Sequence, residues 1–261
     1  MKVFVINLDR NPDRLNHCVE QFSARGLTFE RVTAVDGKML SDEFVDGIKL
    51  DEHWPKPSKA EFGCFMSHRI CWQNLLDSGE DFAAIFEDDV YLSNDAHRLI
   101  SNSEWIPKYV SILKIETFNT KTYFDRWYKC NVLGRSLLKT KSFQPGTGGY
   151  IISRELARKF LNQTENYMPA PIDHYLFDPL LFSVGRDSIY QLFPAVCAQE
   201  LNIYPKSSKL GSSIEDRSVK DMIRNKRGGI GTWVKILRET KKGLHKLKIF
   251  YGQRRMVVPF K

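Results

Sequence analysis

Asp81-Phe82-Ala83-Ala84-Ile85-Phe86-Glu87-Asp88-Asp89-Val90-Tyr91-Leu92 places three adjacent carboxylates at the end of a short apolar run. Residues 82 to 86 show no polar alternation and are too few for an ordinary helix. They predict a strand buried on both faces of a mostly parallel sheet. Glu87, Asp88 and Asp89 then fall at its carboxyl end, the edge where open α/β sheets bind ligands. Neighbouring acids repel unless a cation or strong donors offset their charge. A divalent ion that takes hard oxygen ligands, Mn²⁺ or Mg²⁺, is the simplest offset, and such ions commonly bridge carboxylates to a substrate phosphate. A solvated acidic turn is the other reading of the same residues.

Working outward towards the N-terminus, Lys2 to Leu8 predicts a first buried strand, and Asn11-Pro12 opens a helix with Leu15, Val19 and Phe22 on its apolar stripe. Gly26 stops that helix, and Leu27 to Thr33 predicts a second strand running into Asp36-Gly37. This β-α-β unit leaves Asn7, Leu8, Asp9 and Arg10 at a strand's carboxyl end, where a nucleotide base or ribose can be held. Asp9 also reads as a plain turn residue. Residues 38 to 57 predict a surface loop of the kind that serves as a lid. Ser58 and Glu61 form a capping box for a long helix with Phe62, Phe65, Met66, Trp72, Leu75 and Leu76 inside, closing near Gly79. His68, in mid-helix, is either structural or within reach of a ligand.

Beyond the acids, Asn94 to Ile100 predicts a short helix and Val110 to Ile115 a buried strand. Residues 117 to 145 mix aromatics with bases and predict an amphipathic hairpin, although a substrate-facing flap has the same composition. Gly146-Thr147-Gly148-Gly149 predicts a turn that permits close backbone approach to a substrate, followed by a strand and by Ser153 as a helix cap. No Lys-Ser or Lys-Thr follows these glycines, so they are not a phosphate-cradling loop. Asp173, behind the proline-stiffened run Met168-Pro169-Ala170-Pro171, is either a helix N-cap or a positioned general base. Ser188 to Cys197 predicts a last strand, with Gln199 and Glu200 at its end.

The chain of 261 residues is long enough for one large α/β domain, expected over residues 1–205, followed by a mobile loop and basic tail over 206–261. Five cysteines without a CxxC pair argue against a disulfide framework or a zinc site and point to a reducing cytoplasm. Arg224 to Lys261 holds 12 Lys and Arg against one acid, Glu239, which leaves 27 bases and 30 acids in the remainder. The tail thus carries +11 and the body −3. Such a body offers no extended track for nucleic acid. In the tail, Trp233, Ile236, Leu237, Leu244, Leu247 and Tyr251 recur near helical spacing among lysines and arginines, as in a helix lying on an anionic membrane surface.

Asn7-Leu8-Asp9-Arg10 with Asp13-Arg14, Glu61-Phe62-Gly63-Cys64-Phe65-Met66-Ser67-His68, Phe86-Glu87-Asp88-Asp89-Val90, Gly149-Tyr150-Ile151-Ile152-Ser153 and Pro171-Ile172-Asp173-His174 occur in that order. Together they resemble glycosyltransferase family 25, and within it the bacterial lipopolysaccharide and lipooligosaccharide β-1,4-galactosyltransferases. The resemblance runs from residue 1 to about 200. It implies a GT-A type fold, in which a mixed, mostly parallel sheet is flanked by helices, a UDP-sugar donor such as UDP-galactose, Mn²⁺ dependence and inversion at the anomeric carbon.

Glu-Asp-Asp departs from the simpler Asp-x-Asp metal motif and leaves Glu87 and Asp89 as the outer pair. On this sequence the implied metal ligands are Glu87, Asp89 and His174. The implied donor-binding residues are Asn7, Leu8, Asp9, Arg10, Asp36, His68, Asp88, Gly148 and Gly149. Asp173 is the candidate base, with Glu200 second. The implied acceptor is a lipid-linked oligosaccharide, and the implied location is cytoplasmic, peripheral to the inner face of the bacterial inner membrane. A sugar-phosphate nucleotidyltransferase also uses an acid-bound metal at a sheet edge, but no early phosphate loop is present. A nucleic-acid-binding protein would have to rely on the tail alone.

Overall fold

The computed structural model describes residues 1–52, 54–181, 188–205, 210 and 252–261. The N-terminal β-α-β unit forms as expected: β1 (Lys2–Asn7), α1 (Pro12–Ser23) with proline in its first turn, and β2 (Glu30–Thr33), shorter than predicted. The surface loop carries α2 (Asp42–Asp46) and β3 (Lys49–Leu50). The capping box is present at the start of α3 (Lys59–Ser78), and Gly79 ends that helix in the left-handed conformation at φ 75°. Then come β4 (Phe82–Glu87), β5 (Val90–Leu92), α4 (Ala96–Ile100) and β6 (Ile112–Lys114).

The middle of the chain supplies β7 (Lys121–Asp125), β8 (Cys130–Val132), β9 (Arg135–Lys139), β10 (Gly149–Ser153) and α5 (Arg154–Gln163). Next are β11 (Tyr167–Met168), α6 (Ile172–Phe177), β12 (Ile189–Phe193), β13 (Cys197–Gln199), α7 (Glu200–Ile203) and β14 (Gln253–Val257). Eight strands form one sheet in the order β2-β1-β4-β10-β6-β12-β9-β8, in which β10 and β9 run against the others. The fold is therefore α/β with a mixed, mostly parallel sheet flanked by helices, the GT-A type arrangement.

Alternation along the strands divides the core between two faces, because successive side chains point to opposite sides. Phe4, Ile6, Ile85, Tyr150 and Ile152 pack with Phe62, Phe65 and Trp72 of α3, while Val3, Val5, Ala84, Phe86 and Ile151 pack with Cys18 and Phe22 of α1. Burying each large apolar side chain contributes about 1.5–3 kcal/mol. Register then fixes the functional edge. Ile6 pairs with Glu87, so Asn7 and the acids finish side by side, and Gly149 pairs with Phe86, which brings residues 146–148 over the same edge.

Two sequence expectations change in the fold. Within residues 117 to 145 only β8 and β9 form the hairpin, turning at Leu133 and Gly134, both at positive φ, while β7 pairs with β14 at the chain end. Residues 252–261, reckoned with the tail from sequence, are thus seated on the body. Thr117 Oγ1 donates to Val258 O at 2.6 Å, and Arg135 Nη2 donates to Lys261 O at 2.7 Å. The strand expected over Ser188 to Cys197 is two strands, broken at Pro194, which cannot donate to a ladder; β13 leaves the main sheet to pair with β5. The amphipathic stretch of the tail lies outside the described residues. Among the described residues, no helix is long and apolar enough to cross a membrane.

Candidate active site

The three acids diverge at the end of β4. Asp88 is held from below: Asn7 Nδ2 donates to its Oδ2 at 2.7 Å, and Arg14 Nη1 of α1 meets its Oδ1 at 2.7 Å. The second Arg14 nitrogen, Nη2, reaches Asp89 Oδ2 at 2.7 Å, so one guanidinium spans two adjacent carboxylates. Gln199 Nε2, brought by β13, donates to Glu87 Oε2 at 2.7 Å and lies 3.3 Å from Asp89 Oδ1. Glu87 and Asp89 thus converge on one side. Thr147 Oγ1 also donates to Glu87 Oε1.

Burial pushes the Asp89 carboxyl up to about 7, and the Glu87 charge adds to that rise while Arg14 opposes it. Burial also raises Asp88. Arg14 therefore offsets only part of the clustered charge. A divalent cation with oxygen preference fits this set, because it would supply the missing positive charge to the two converging carboxylates.

The sequence-proposed donor residues fall into two linked groups. Asn7 Oδ1 accepts from Arg31 Nε at 3.1 Å, and Arg31 in turn pairs with Asp9. Arg10 pairs with Asp36, while the Leu8 carbonyl accepts from Asn11 N at 2.9 Å. His68 lies on the other side, fully buried, with Nε2 3.8 Å from Glu87 Oε1. Gly148 and Gly149 owe their identity to protein neighbours: a Cβ at Gly148 would stand 2.7 Å from Gln199 Cγ and 2.9 Å from Glu116 Oε1, and one at Gly149 would strike Cys197 Sγ. The absence of a side chain at these glycines thus makes room for the side chains that frame the acids, whereas the sequence expectation was of close approach to a substrate.

Asp173 is not the N-cap of α6; that position is Pro171, without a side-chain cap. Its Oδ1 accepts from His174 N at 2.8 Å, and its Oδ2 lies 3.4 Å from Gly146 N, which ties it to the loop that carries Thr147. The His174 ring stacks on Phe143 at 3.7 Å, faces Trp54 at 4.6 Å, and places Nδ1 3.5 Å from Asp178 Oδ2. Those contacts join His174 to Asp178 and the aromatics; no contact joins it to Glu87 or Asp89. Glu200 is buried at the start of α7. Its backbone N–H donates to Asp89 O at 2.8 Å, and its Oε2 accepts from Leu210 N at 2.8 Å.

The family model for glycosyltransferase family 25 (LPS biosynthesis protein) matches residues 1–176. The chain belongs to glycosyltransferase family 25. Over 99% of its length this family 25 enzyme is 31% identical to the lipooligosaccharide biosynthesis protein lic2B of Haemophilus influenzae, covering 98% of that protein. It is 32% identical, over the whole of both chains, to the lacto-N-neotetraose biosynthesis glycosyltransferase LgtE of Neisseria meningitidis serogroup B. Among solved structures it is similar to a glycosyltransferase involved in the glycosylation of the major capsid of PBCV-1, at 8% identity and TM-score 0.41, over 80% of this chain and 95% of that one.

In this family 25 enzyme a second ion pair supports the acids, and sequence reasoning missed it. Lys114 and Glu116 are both fully buried, with Nζ and Oε2 3.1 Å apart. Lys114 donates to Gly146 O and lies 4.2 Å from the Phe177 ring centre, and Glu116 Oε2 accepts from Gly148 N at 2.9 Å. The pair fastens both ends of the loop from which Thr147 reaches Glu87. Its only signal in the sequence was two opposite charges two residues apart within an apolar run, Ile112-Leu113-Lys114-Ile115-Glu116. Arg14 and Thr147 carried no signal of their role.

Burial raises Glu116 to about 7, with Lys114 opposing. A carboxyl whose folded pKa is raised keeps a proton that the unfolded chain releases, so stability falls as pH climbs from about 4.5 to about 7 and is level above that. Glu116→Gln is expected to remove about one proton's share of that slope, about 1.4 kcal/mol per pH unit at most, in urea unfolding of the metal-free protein across pH 5 to 7. An unchanged slope would place the titration elsewhere.

Proposed function

We propose that the enzyme is an inverting, metal-dependent transferase that moves galactose from UDP-galactose to the terminal sugar of a lipooligosaccharide acceptor, forming a β-1,4 linkage. The observation that carries this reading is the convergence of Glu87 and Asp89 at the end of β4, with Asp173 tied through Gly146 to the same loop. The names of the relatives, lipooligosaccharide and lacto-N-neotetraose biosynthesis, support the acceptor class.

Glu87 and Asp89 would hold Mn²⁺ or Mg²⁺, which when bound supplies the charge that stabilises a departing diphosphate. Arg14 and Asn7 keep the acids aimed. Asn7, Asp9 and Arg10 with Asp36 stand at the strand ends where the uridine would be recognised. On the opposite face of the sugar, Asp173 takes the proton of the acceptor hydroxyl, and its negative charge favours the oxocarbenium-like transition state. His174, proposed from sequence as a third metal ligand, has its ring engaged by Phe143, Trp54 and Asp178, so its part is to shape the wall beside Asp173. UDP release measured with UDP-galactose, UDP-glucose and UDP-N-acetylglucosamine, with Mn²⁺ and simple sugar-terminated acceptors, tests the reading. The expected result is acceptor-stimulated release from UDP-galactose that EDTA abolishes; preference for another donor, or release indifferent to EDTA, refutes it.

The basic tail would hold the enzyme at the inner face of the bacterial membrane, since each Lys or Arg near an anionic leaflet contributes on the order of 1 kcal/mol. Because β14 follows the tail and pairs with β7, the test must keep the chain end. Changing Lys241, Lys242, Lys246 and Lys248 to Gln in the full chain is expected to end co-sedimentation with anionic vesicles at low salt and to leave transfer to a soluble acceptor intact. Equal sedimentation of wild type and variant would refute the membrane role.

A further inference from the structure

One wall of the site carries a donor set unlike the oxygens that face Gln199. Cys64 and His68 stand four residues apart on α3 and so share a helix face, beside the end of β4. Cys64 Sγ, a His68 ring nitrogen and a Glu87 oxygen lie within 4.8 Å of one another. His68 is fully buried, and its Nε2 has no hydrogen-bond partner. A buried polar atom left in that state costs about 1–3 kcal/mol, and Glu87 Oε1 at 3.8 Å is beyond hydrogen-bond reach, so the atom has room to take a bound ion.

The other ring nitrogen is already supported. Nδ1 is 3.0 Å from Tyr150 Oη, which also accepts from Trp72 Nε1 at 3.0 Å. A phenol oxygen has two lone pairs. With the proton on Nδ1 and shared with Tyr150, the Nε2 lone pair faces Cys64 and Glu87, which is how a metal-bound histidine is oriented by a neighbouring acceptor.

We propose that Cys64, His68 and Glu87 form a binding site for a thiophilic divalent cation of the Zn²⁺ class, and that its occupancy inhibits sugar transfer. Thiolate, imidazole and carboxylate are zinc ligands, whereas Mn²⁺ favours oxygen; the set uses a single cysteine, so it lies outside the cysteine-pair pattern whose absence argued against zinc in the sequence. A tetrahedral ion draws such donors to about 3.5 Å apart, so side-chain movements of about 1 Å close the set. Glu87 is partly exposed, which leaves a path for the ion and a fourth position for water. Binding exchanges the thiol proton of Cys64 for the cation: the S–H bond breaks, an S–metal bond forms, and the proton goes to solvent. Inhibition rests on the proposed use of Glu87 in the catalytic oxygen site; binding does not.

The test is a Co²⁺ titration of the full-length protein at pH 8, read by the thiolate-to-cobalt charge-transfer band in the near ultraviolet. One equivalent is expected to produce the band, Zn²⁺ to bleach it, and Cys64→Ser to lack it while melting within about 2 °C of wild type. Cys64→Ala stands in should the serine variant fold poorly. In the transfer assay with saturating Mn²⁺, Zn²⁺ should inhibit wild type at least tenfold more strongly than Cys64→Ser, whose own turnover stays within about twofold of wild type. Absence of the band, or its survival in Cys64→Ser and Cys64→Ala, overturns the site. A band that depends on Cys64, with no Zn²⁺ inhibition, upholds the cation site and overturns the sharing of Glu87.

Discussion

Asp89→Asn is expected to lower sugar transfer by about a thousandfold without loss of stability at pH 8. The loss follows from removing one of two carboxylates that would hold the ion behind the leaving diphosphate, a contribution of several kcal/mol to the transition state, with each 1.36 kcal/mol worth a factor of ten. Stability should hold because the ionised carboxylate is costly where it stands. Burial and the Glu87 charge push Asp89 up to about 7, so above that pH the folded protein carries a charge it resists. Asparagine keeps an acceptor for Arg14, whose Nη2 is 2.7 Å from Asp89 Oδ2 in the wild type. The melting temperature of the metal-free variant should equal or exceed that of wild type, and the thermal shift given by Mn²⁺ with UDP should vanish. Near-normal turnover, or an undiminished shift, would remove Asp89 from the metal set.

Asp173→Asn should cut turnover by about a hundredfold or more, the usual size of a general-base contribution, and leave donor binding unchanged. The structure sharpens this test. Pro171 holds the N-cap position of α6, so a loss of activity cannot be ascribed to a lost side-chain cap. Asparagine retains an oxygen for His174 N, which Asp173 Oδ1 meets at 2.8 Å, and surrenders at most the weak contact of 3.4 Å from Gly146 N to Oδ2. Melting temperature and UDP affinity are the controls. High turnover with both controls steady would move the base elsewhere. Glu200, the second candidate from sequence, is buried and occupied by Leu210 N, which makes its carboxylate the poorer acceptor for a substrate proton.

What could be read along the chain was what depends on neighbours in sequence. The apolar run before Glu87, the proline at the start of α1, and Ser58 with Glu61 at the start of α3 specify local geometry through sterics and hydrogen bonds that close within a few residues. From these the β-α-β start, the buried β4 and the strand end that bears the acids follow directly. Ligand chemistry at that edge was legible for the same reason, since residue type and strand position are both local. The pattern alone left Asp173 as either cap or base; the family resemblance favoured the base and named a donor set, roles that the experiments above test.

Partners were decided only by tertiary structure. Arg14 reaches Asp88 and Asp89 because α1 packs its Cys18 and Phe22 against the sheet face that holds Val5, Ala84 and Phe86. Gln199 meets Glu87 because Pro194 separates β12 from β13 and β13 then pairs with β5, and β7 finds β14 more than a hundred residues away. Lys114, which ends the buried β6, and Glu116, two residues beyond it, were opaque in sequence because their burial is tolerable only once each has the other and the backbone of residues 146 to 148. The sequence alone determined the fold class and the sheet edge that bears the acids. The tertiary structure decided which cations and donors restrain that charge, because pairing energies depend on distances that chain connectivity does not set.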